Sequence, residues 1–347
     1  MTQKFCISRL VRPNVAAISA YSSARDEFTG TKQGLVFLDA NENPFSGELS
    51  RYPDPRQREL KQFLSEQREV PETRILLGNG SDEVLDLLFR AFCRPGLDNV
   101  ITLPPTYGMY KVLADLNDIE NRQVLLTDDF QPDVPQILAR SDQNTKLLLL
   151  CSPNNPTGNL FNPELVESLL GQFDGLVVID EAYIDFSSDP GWVRRLAEFP
   201  NLVVTQTLSK AYAMAALRLG ICYGSTEIIA ILNRIKPPYN INQLSQDTAL
   251  TNLRTRDPGQ EITIILEERE KMSRDLEQLS YVKEVFPSDA NFLLVRMDDA
   301  SLRYDQLLKA GFVVRNRSSQ PLCGSTLRIT IGTPTENELL IQTLKQL

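Results

Sequence analysis

The chain has 347 residues, 42% of them hydrophobic, enough for one large domain or two ordinary ones, which excludes fibrous, collagen-like and wholly disordered classes. Lys and Arg number 36 against 45 Asp and Glu, so the formal charge is −9; such a surface repels phosphate backbones, and nucleic acid is not an expected partner. Histidine is absent altogether, which removes Ser-His-Asp and Cys-His nucleophile systems and every His-containing metal site, and leaves acid–base work to Lys, Tyr, Asp, Glu or Cys.

In chain order, the first twenty residues lack the continuous apolar core of a secretion signal, and no later run approaches the length of a membrane span. Cys6, Cys93, Cys151, Cys222 and Cys323 are odd in number and far apart, with no C-x-x-C pair. They read as buried thiols in a reducing compartment, so the expectation is a soluble cytoplasmic protein with neither a metal nor a membrane partner.

From residue 75 onward, short apolar runs alternate with helical patterns, the mark of an α/β architecture with a mostly parallel sheet. The strand candidates are Ile75–Leu77, Val100–Leu103, Val124–Leu126, Leu147–Cys151, Leu176–Ile179, Leu202–Thr205 and Leu219–Tyr223. Ser81 is expected to cap a helix whose face is Val84, Leu85, Leu87, Leu88 and Phe92, with Asp82 and Glu83 suiting its positive end. Asn162-Pro163 is expected to open another helix running to Phe173.

After Pro237-Pro238 the character changes. A charged helical stretch from about Gly259 to Leu279 precedes strands at Val282–Phe286, Phe292–Met297, Phe312–Arg315 and Leu327–Ile331, and Thr335 with Glu338 offers a capping box for a last helix. This predicts a smaller α+β domain at 241–347, a larger domain at 41–240, and an N-terminal segment, 1–40, packed on the smaller one.

Three pieces sit where an α/β sheet presents its carboxyl-end crevice: Ser152-Pro153-Asn154-Asn155-Pro156-Thr157-Gly158, Asp180-Glu181-Ala182-Tyr183 and Thr207-Leu208-Ser209-Lys210. Thirty residues, roughly one crossover, separate Asp180 from Lys210. In this order and spacing the pattern resembles the fold-type I, pyridoxal-phosphate-dependent aminotransferases over nearly the whole chain. Within that family the segments Asp39-Ala40-Asn41-Glu42-Asn43-Pro44, Arg51-Tyr52-Pro53-Asp54-Pro55, Gly78-Asn79-Gly80-Ser81-Asp82-Glu83, Leu208-Ser209-Lys210-Ala211 with Arg218, and Leu327-Arg328-Ile329-Thr330-Ile331-Gly332-Thr333 are similar to those of the histidinol-phosphate aminotransferases. The resemblance implies a large domain built on a seven-stranded, mostly parallel sheet and a smaller α+β domain.

The needs of pyridoxal 5′-phosphate account for the residue types. It requires an amine that forms a Schiff base and then shuttles a proton, which suits Lys210. Its ring nitrogen stays protonated opposite a buried carboxylate, which suits Asp180, while Tyr183 and Asn155 can hydrogen-bond its phenolic oxygen. Its phosphate calls for backbone N–H groups, hydroxyls and a fixed cation: Gly80 and Ser81 at a helix start, Thr207, Ser209 and Arg218. By resemblance, Tyr107 stacks on the ring and Tyr52 reaches the cofactor of a neighbouring subunit, which implies a homodimer with shared active sites.

Also by resemblance, Arg315 and Arg328 bind the substrate's acid group, with Tyr21 and Asn43 helping to line that pocket; Arg317 reads as solvated and Asn154 as a turn residue. The implied reaction exchanges an amino group between glutamate (2-oxoglutarate) and imidazole acetol phosphate (histidinol phosphate) in histidine biosynthesis. Two alternatives of the same fold stay open, a threonine-phosphate decarboxylase and a broad aromatic or aspartate aminotransferase. A cofactor-sensing regulator would call for an appended DNA-binding domain, and the chain starts close to its first motif.

Overall fold

The computed structural model describes residues 5–19, 36–45, 47 and 49–347. Its strands are β1 Ile75–Asn79, β2 Asn99–Thr102, β3 Glu120–Gln123, β4 Thr145–Cys151, β5 Leu176–Asp180, β6 Leu202–Thr207, β7 Leu219–Tyr223, β8 Val282–Val285, β9 Phe292–Met297, β10 Arg315–Asn316 and β11 Thr326–Thr330. They form a seven-stranded sheet in the order β1-β7-β6-β5-β4-β2-β3 and a four-stranded one in the order β10-β11-β9-β8. The chain divides into two compact units, Met1–Pro95 with Trp192–Arg256, and Gly96–Gly191 with Asp257–Leu347.

In the first unit β1 and β6 both run antiparallel to β7. The helix Ser81–Phe92 packs on β1 and β7 because its apolar residues fall on one face: Val84, Leu85, Leu87, Leu88 and Phe92 are all buried. Acidic Asp82 and Glu83 lie in its first turn and Arg90 in its last, complementing the helix dipole. Ser81 is its first residue rather than its cap; the N-cap is Gly80, at φ +81°, which offers no side chain.

In the second unit β2 lies parallel to both β3 and β4, and β4 parallel to β5. β4 and β5 are wholly buried, as near-continuous apolar runs require when a parallel sheet is covered on both faces. The expected strand at Val124–Leu126 lies instead at Glu120–Gln123. This strand ends the sheet, and polar side chains at its partly exposed positions suit an edge, so apolar content points to the wrong residues. Asn162 does cap the helix Pro163–Gln172, accepting from the Glu164 N–H at 2.9 Å.

The four-stranded sheet is antiparallel throughout. Helix Gly259–Glu277 lays a narrow stripe, Glu268, Met272 and Leu276, one turn apart, on a core that includes Leu293, Val295, Leu327, Ile329, Leu340 and Leu344. Its one buried charge, Glu268, accepts from Asn337 at 2.9 Å. The capping box of the last helix, Pro334–Leu344, is Thr333 with Glu336, two residues earlier than expected: Pro334 occupies the first helical position, where its missing N–H costs nothing. β10 begins only at Arg315, because the Phe312 N–H is still engaged with the Leu307 carbonyl of the preceding helix and Gly311 turns the chain at φ +91°. Four cysteines, Cys93, Cys151, Cys222 and Cys323, are buried and Cys6 is exposed.

Candidate active site

Each unit carries one set of the sequence-predicted residues. In the first unit, β1 runs through Gly80 into the helix Ser81–Phe92, and no side chain caps that helix, so its first-turn N–H groups remain available to an anion. The Gly80 N–H donates to the Arg218 carbonyl at 2.8 Å, and a Cβ on Gly80 would stand 2.6 Å from Arg218 Nη2. Glycine is thus required twice over, for the left-handed φ and for the guanidinium lying against the loop. Gly220 of β7 is tighter still: a Cβ there would lie 2.3 Å from the Ser81 nitrogen.

Around this cradle the Thr207 and Ser209 hydroxyls sit 3.0 Å apart, and the Ser209 N–H also donates to Thr207 Oγ1. Lys210 is exposed in the turn after β6. Its carbonyl accepts from the Ala213 N–H at 3.1 Å. Arg218 takes φ +54° and keeps Asp82 at 3.9 Å, a distance that leaves most of its charge unspent. Backbone N–H donors, two hydroxyls and a guanidinium around one glycine turn form the donor set a phosphate monoester needs, so the residues present fit a phosphorylated cofactor.

The remaining first-unit candidates lie at its surface. Tyr52 stacks on Tyr239 with ring centroids 4.5 Å apart, and its N–H donates to Glu42, which also pairs with Arg51 at 2.6 Å. Asn43 closes a local turn by accepting from the Phe45 N–H at 2.9 Å. Tyr21 lies outside the described residues.

In the second unit Asp180 ends β5 and is 3% exposed, so an ionised carboxylate there demands compensation. The Tyr110 hydroxyl donates to its Oδ2 at 2.9 Å and the Ala182 N–H to its Oδ1 at 3.2 Å. Tyr110 is fully buried, and desolvation, with the Asp180 charge beside it, drives its hydroxyl well above the usual phenol range, so it acts as a permanent donor. Sequence reading missed this residue; the signal was Tyr107 and Tyr110 three apart around the start of the helix Met109–Leu116, where their rings meet edge to face at 5.6 Å.

Asn155 links two candidates: its Nδ2 donates to Tyr183 Oη at 3.3 Å and its Oδ1 accepts from Arg328 Nη1 at 2.5 Å. Burial lifts the Tyr183 phenol too, an effect Arg328 opposes. Both Tyr183 and Arg328 pack on Phe292, the tyrosine edge to face at 5.1 Å and the guanidinium over the ring at 5.1 Å. Asn154 is structural, as expected: its side chain holds the Pro105 carbonyl, Thr157 and Thr106 at 2.7–3.0 Å.

Arg315 stands directly opposite Arg328 across the β10–β11 pair. Like charges in that relation repel, a cost that an acidic ligand would remove. Arg317 corrects the expectation of a solvated side chain: it is half-buried and its Nε is shut off from water without a partner. Among the described residues no group of His, Cys, Asp and Glu is arranged to hold a metal, and no helix is long and apolar enough to cross a membrane.

The chain belongs to the class I and II aminotransferase family, whose model matches residues 36–344. It is 57% identical over 343 residues to the histidinol-phosphate aminotransferase of Flavobacterium psychrophilum, covering 99% of each chain, and 58% identical over 344 residues to that of Christiangramia forsetii, covering 99% of this chain and 98% of that one. Among solved structures it is similar to the histidinol-phosphate aminotransferase of Clostridium acetobutylicum, with a TM-score of 0.79, 26% identity, and coverage of 86% of this chain and 90% of that one.

Proposed function

We propose that this aminotransferase uses pyridoxal 5′-phosphate to exchange an amino group between L-glutamate and imidazole acetol phosphate, yielding L-histidinol phosphate. The observation that carries the substrate side is the Arg315–Arg328 pair, two guanidiniums facing each other on one sheet face with neither held by an acid among the described residues. That arrangement suits a site taking a phosphate from one substrate and a carboxylate from the other. Near-full-length identity of 57–58% to proteins named for this activity supports the same reading.

Gly80, Ser81, Thr207, Ser209 and Arg218 would hold the cofactor's phosphate, with Tyr107 beside its ring and Asn155 and Tyr183 at its phenolic oxygen. Asp180, whose carboxylate accepts from the Tyr110 hydroxyl and the Ala182 N–H, would hold the ring nitrogen's proton by charge pairing. Bound there, the cofactor supplies an electron sink for the carbon that carries the amine. Lys210 Nζ would take the proton from that carbon and deliver it to the cofactor carbon, with the opposite transfer in the other half-reaction, and a chain without histidine leaves this work to the lysine. Arg328 and Arg315 orient the anionic end of the substrate, a role the resemblance extends to Asn43.

The working protein is proposed to be a cytoplasmic homodimer, with residues 41–240 as the cofactor domain and 241–347 as the smaller one. Leu38 and Phe45 are 87% and 85% exposed, and Leu49, Tyr52 and Leu244 are also open; that much apolar surface suits a second copy. Tyr52 would then reach the other copy's cofactor phosphate. Sedimentation at working concentration should give a dimer, and a monomer would remove this part.

The reaction is tested by following the bound cofactor's visible absorbance while histidinol phosphate, glutamate, threonine phosphate, phenylalanine and aspartate are offered in turn. Only the first two should convert it efficiently. Carbon dioxide released from threonine phosphate would establish the decarboxylase instead.

A further inference from the structure

The β10–β11 face carries one more guanidinium than the reading above employs. Its ladder continues two residues beyond the Arg315–Arg328 pair, through the Arg317 N–H to the Thr326 carbonyl at 2.9 Å. Residues two apart on a strand share a face, so Arg317 stands on the side that Arg315 and Arg328 occupy. The Nε atoms of Arg317 and Arg328 are both buried without a partner, and none of the three arginines is ion-paired among the described residues. Burial, and then repulsion from Arg315, lowers the Arg317 pKa; in Arg328 burial is again the main cause, and both neighbouring arginines add to it.

Such a cluster weakens the fold when empty, since Arg317 and Arg328 have each lost water at Nε and stand among like charges that no acid offsets. What it lacks is negative charge in excess of one unit. Histidinol phosphate brings a doubly ionised phosphate, whereas each end of glutamate or 2-oxoglutarate carries a single carboxylate charge. We propose that Arg317 is a specificity-determining residue, the third arm of a clamp built with Arg315 and Arg328 for a phosphate dianion, and that it favours the phosphorylated substrate over the dicarboxylic one. This rests on the histidinol-phosphate reading for the name of the substrate, but not for the charge it must carry.

The test uses the holoenzyme, in which the cofactor's own phosphate site is filled, and compares wild type with Arg317→Gln and Arg317→Lys. Each half-reaction is followed alone by cofactor absorbance, and the thermal midpoint is read with inorganic phosphate and, separately, with acetate. In Arg317→Gln the loss of kcat/KM for histidinol phosphate should exceed the loss for 2-oxoglutarate by about tenfold or more, as removal of one charge-assisted contact implies. Phosphate should raise the wild-type midpoint more than acetate does, Arg317→Gln should lose that difference, and Arg317→Lys should recover part of it. Equal losses in both half-reactions, or a phosphate shift that survives Arg317→Gln, would overturn the proposal. The phosphate shift needs no turnover, so an inert response to histidinol phosphate in wild type would sink the functional reading while the shift still judged Arg317.

Discussion

Tyr110 donates its hydroxyl to Asp180 Oδ2 at 2.9 Å, and both side chains are shut off from water. Tyr110→Phe keeps the ring and its packing but leaves the carboxylate short of one donor, a loss worth roughly 2 kcal/mol. The variant should fold, melt at a lower temperature, and show a weakened hold on the ring nitrogen's proton, seen as a changed pH dependence of the cofactor's absorbance. An unchanged melting point and an unchanged profile would remove Tyr110 from the site.

Gly220 packs its α-carbon against the turn that starts the Ser81–Phe92 helix, so a methyl group has nowhere to go. Both obstacles are backbone atoms, the Ser81 nitrogen and the Gly80 carbonyl carbon, which cannot swing aside as a side chain would. Gly220→Ala should cost about 3 kcal/mol and loosen cofactor binding through the displaced cradle. Denaturant unfolding and cofactor titration read the two effects; wild-type values in both would show that the loop yields freely.

Lys210→Ala should leave the melting curve within a degree or two of wild type, because the side chain is exposed, while transfer falls by at least about a thousandfold through loss of the amine that moves the proton. Borohydride reduction of the wild-type holoenzyme followed by peptide mapping should place the cofactor on the Lys210 peptide. Attachment to any other lysine would rule out the assigned role.

Alkaline pH offers a fourth check. Burial pushes the Cys222 thiol up to about 12 from an ordinary 9.0. A folded-state pKa above the unfolded one means that the contribution to stability is complete below pH 9 and drains away as pH climbs toward 12. Cys222→Ala removes the group, so between pH 9 and 11 its stability should fall more gently than wild type's, by on the order of 1 kcal/mol per pH unit. Parallel curves would mean that the thiol ionises freely in the folded protein.

The buried strands were within reach of sequence reasoning because burial on both faces leaves long apolar runs, as in β4 and β5. β3 escaped it because an edge strand is selected for polarity. The last helix's cap was displaced by two residues because Thr333 and Thr335 offer the same pattern, and only Pro334 at the first helical position separates them. Within the site, the motif residues declared themselves through loop chemistry. Tyr110 and Arg317 did not, since a tyrosine on an apolar helix and an arginine near a strand end look ordinary until long-range pairing buries them. Even the seclusion of Asp180 depends on its position at the end of an interior strand rather than on its neighbours in sequence.

The distribution of thiols has a practical side. Cys6 is open to solvent and its hydrogen bonds with Ser8 lower its pKa, whereas burial raises that of Cys151, Cys222 and Cys323. A maleimide fluorophore added near neutrality would therefore mark each copy once, close to its amino end. Mixing donor- and acceptor-tagged batches would then report any association of two copies by energy transfer, with no engineered cysteine required.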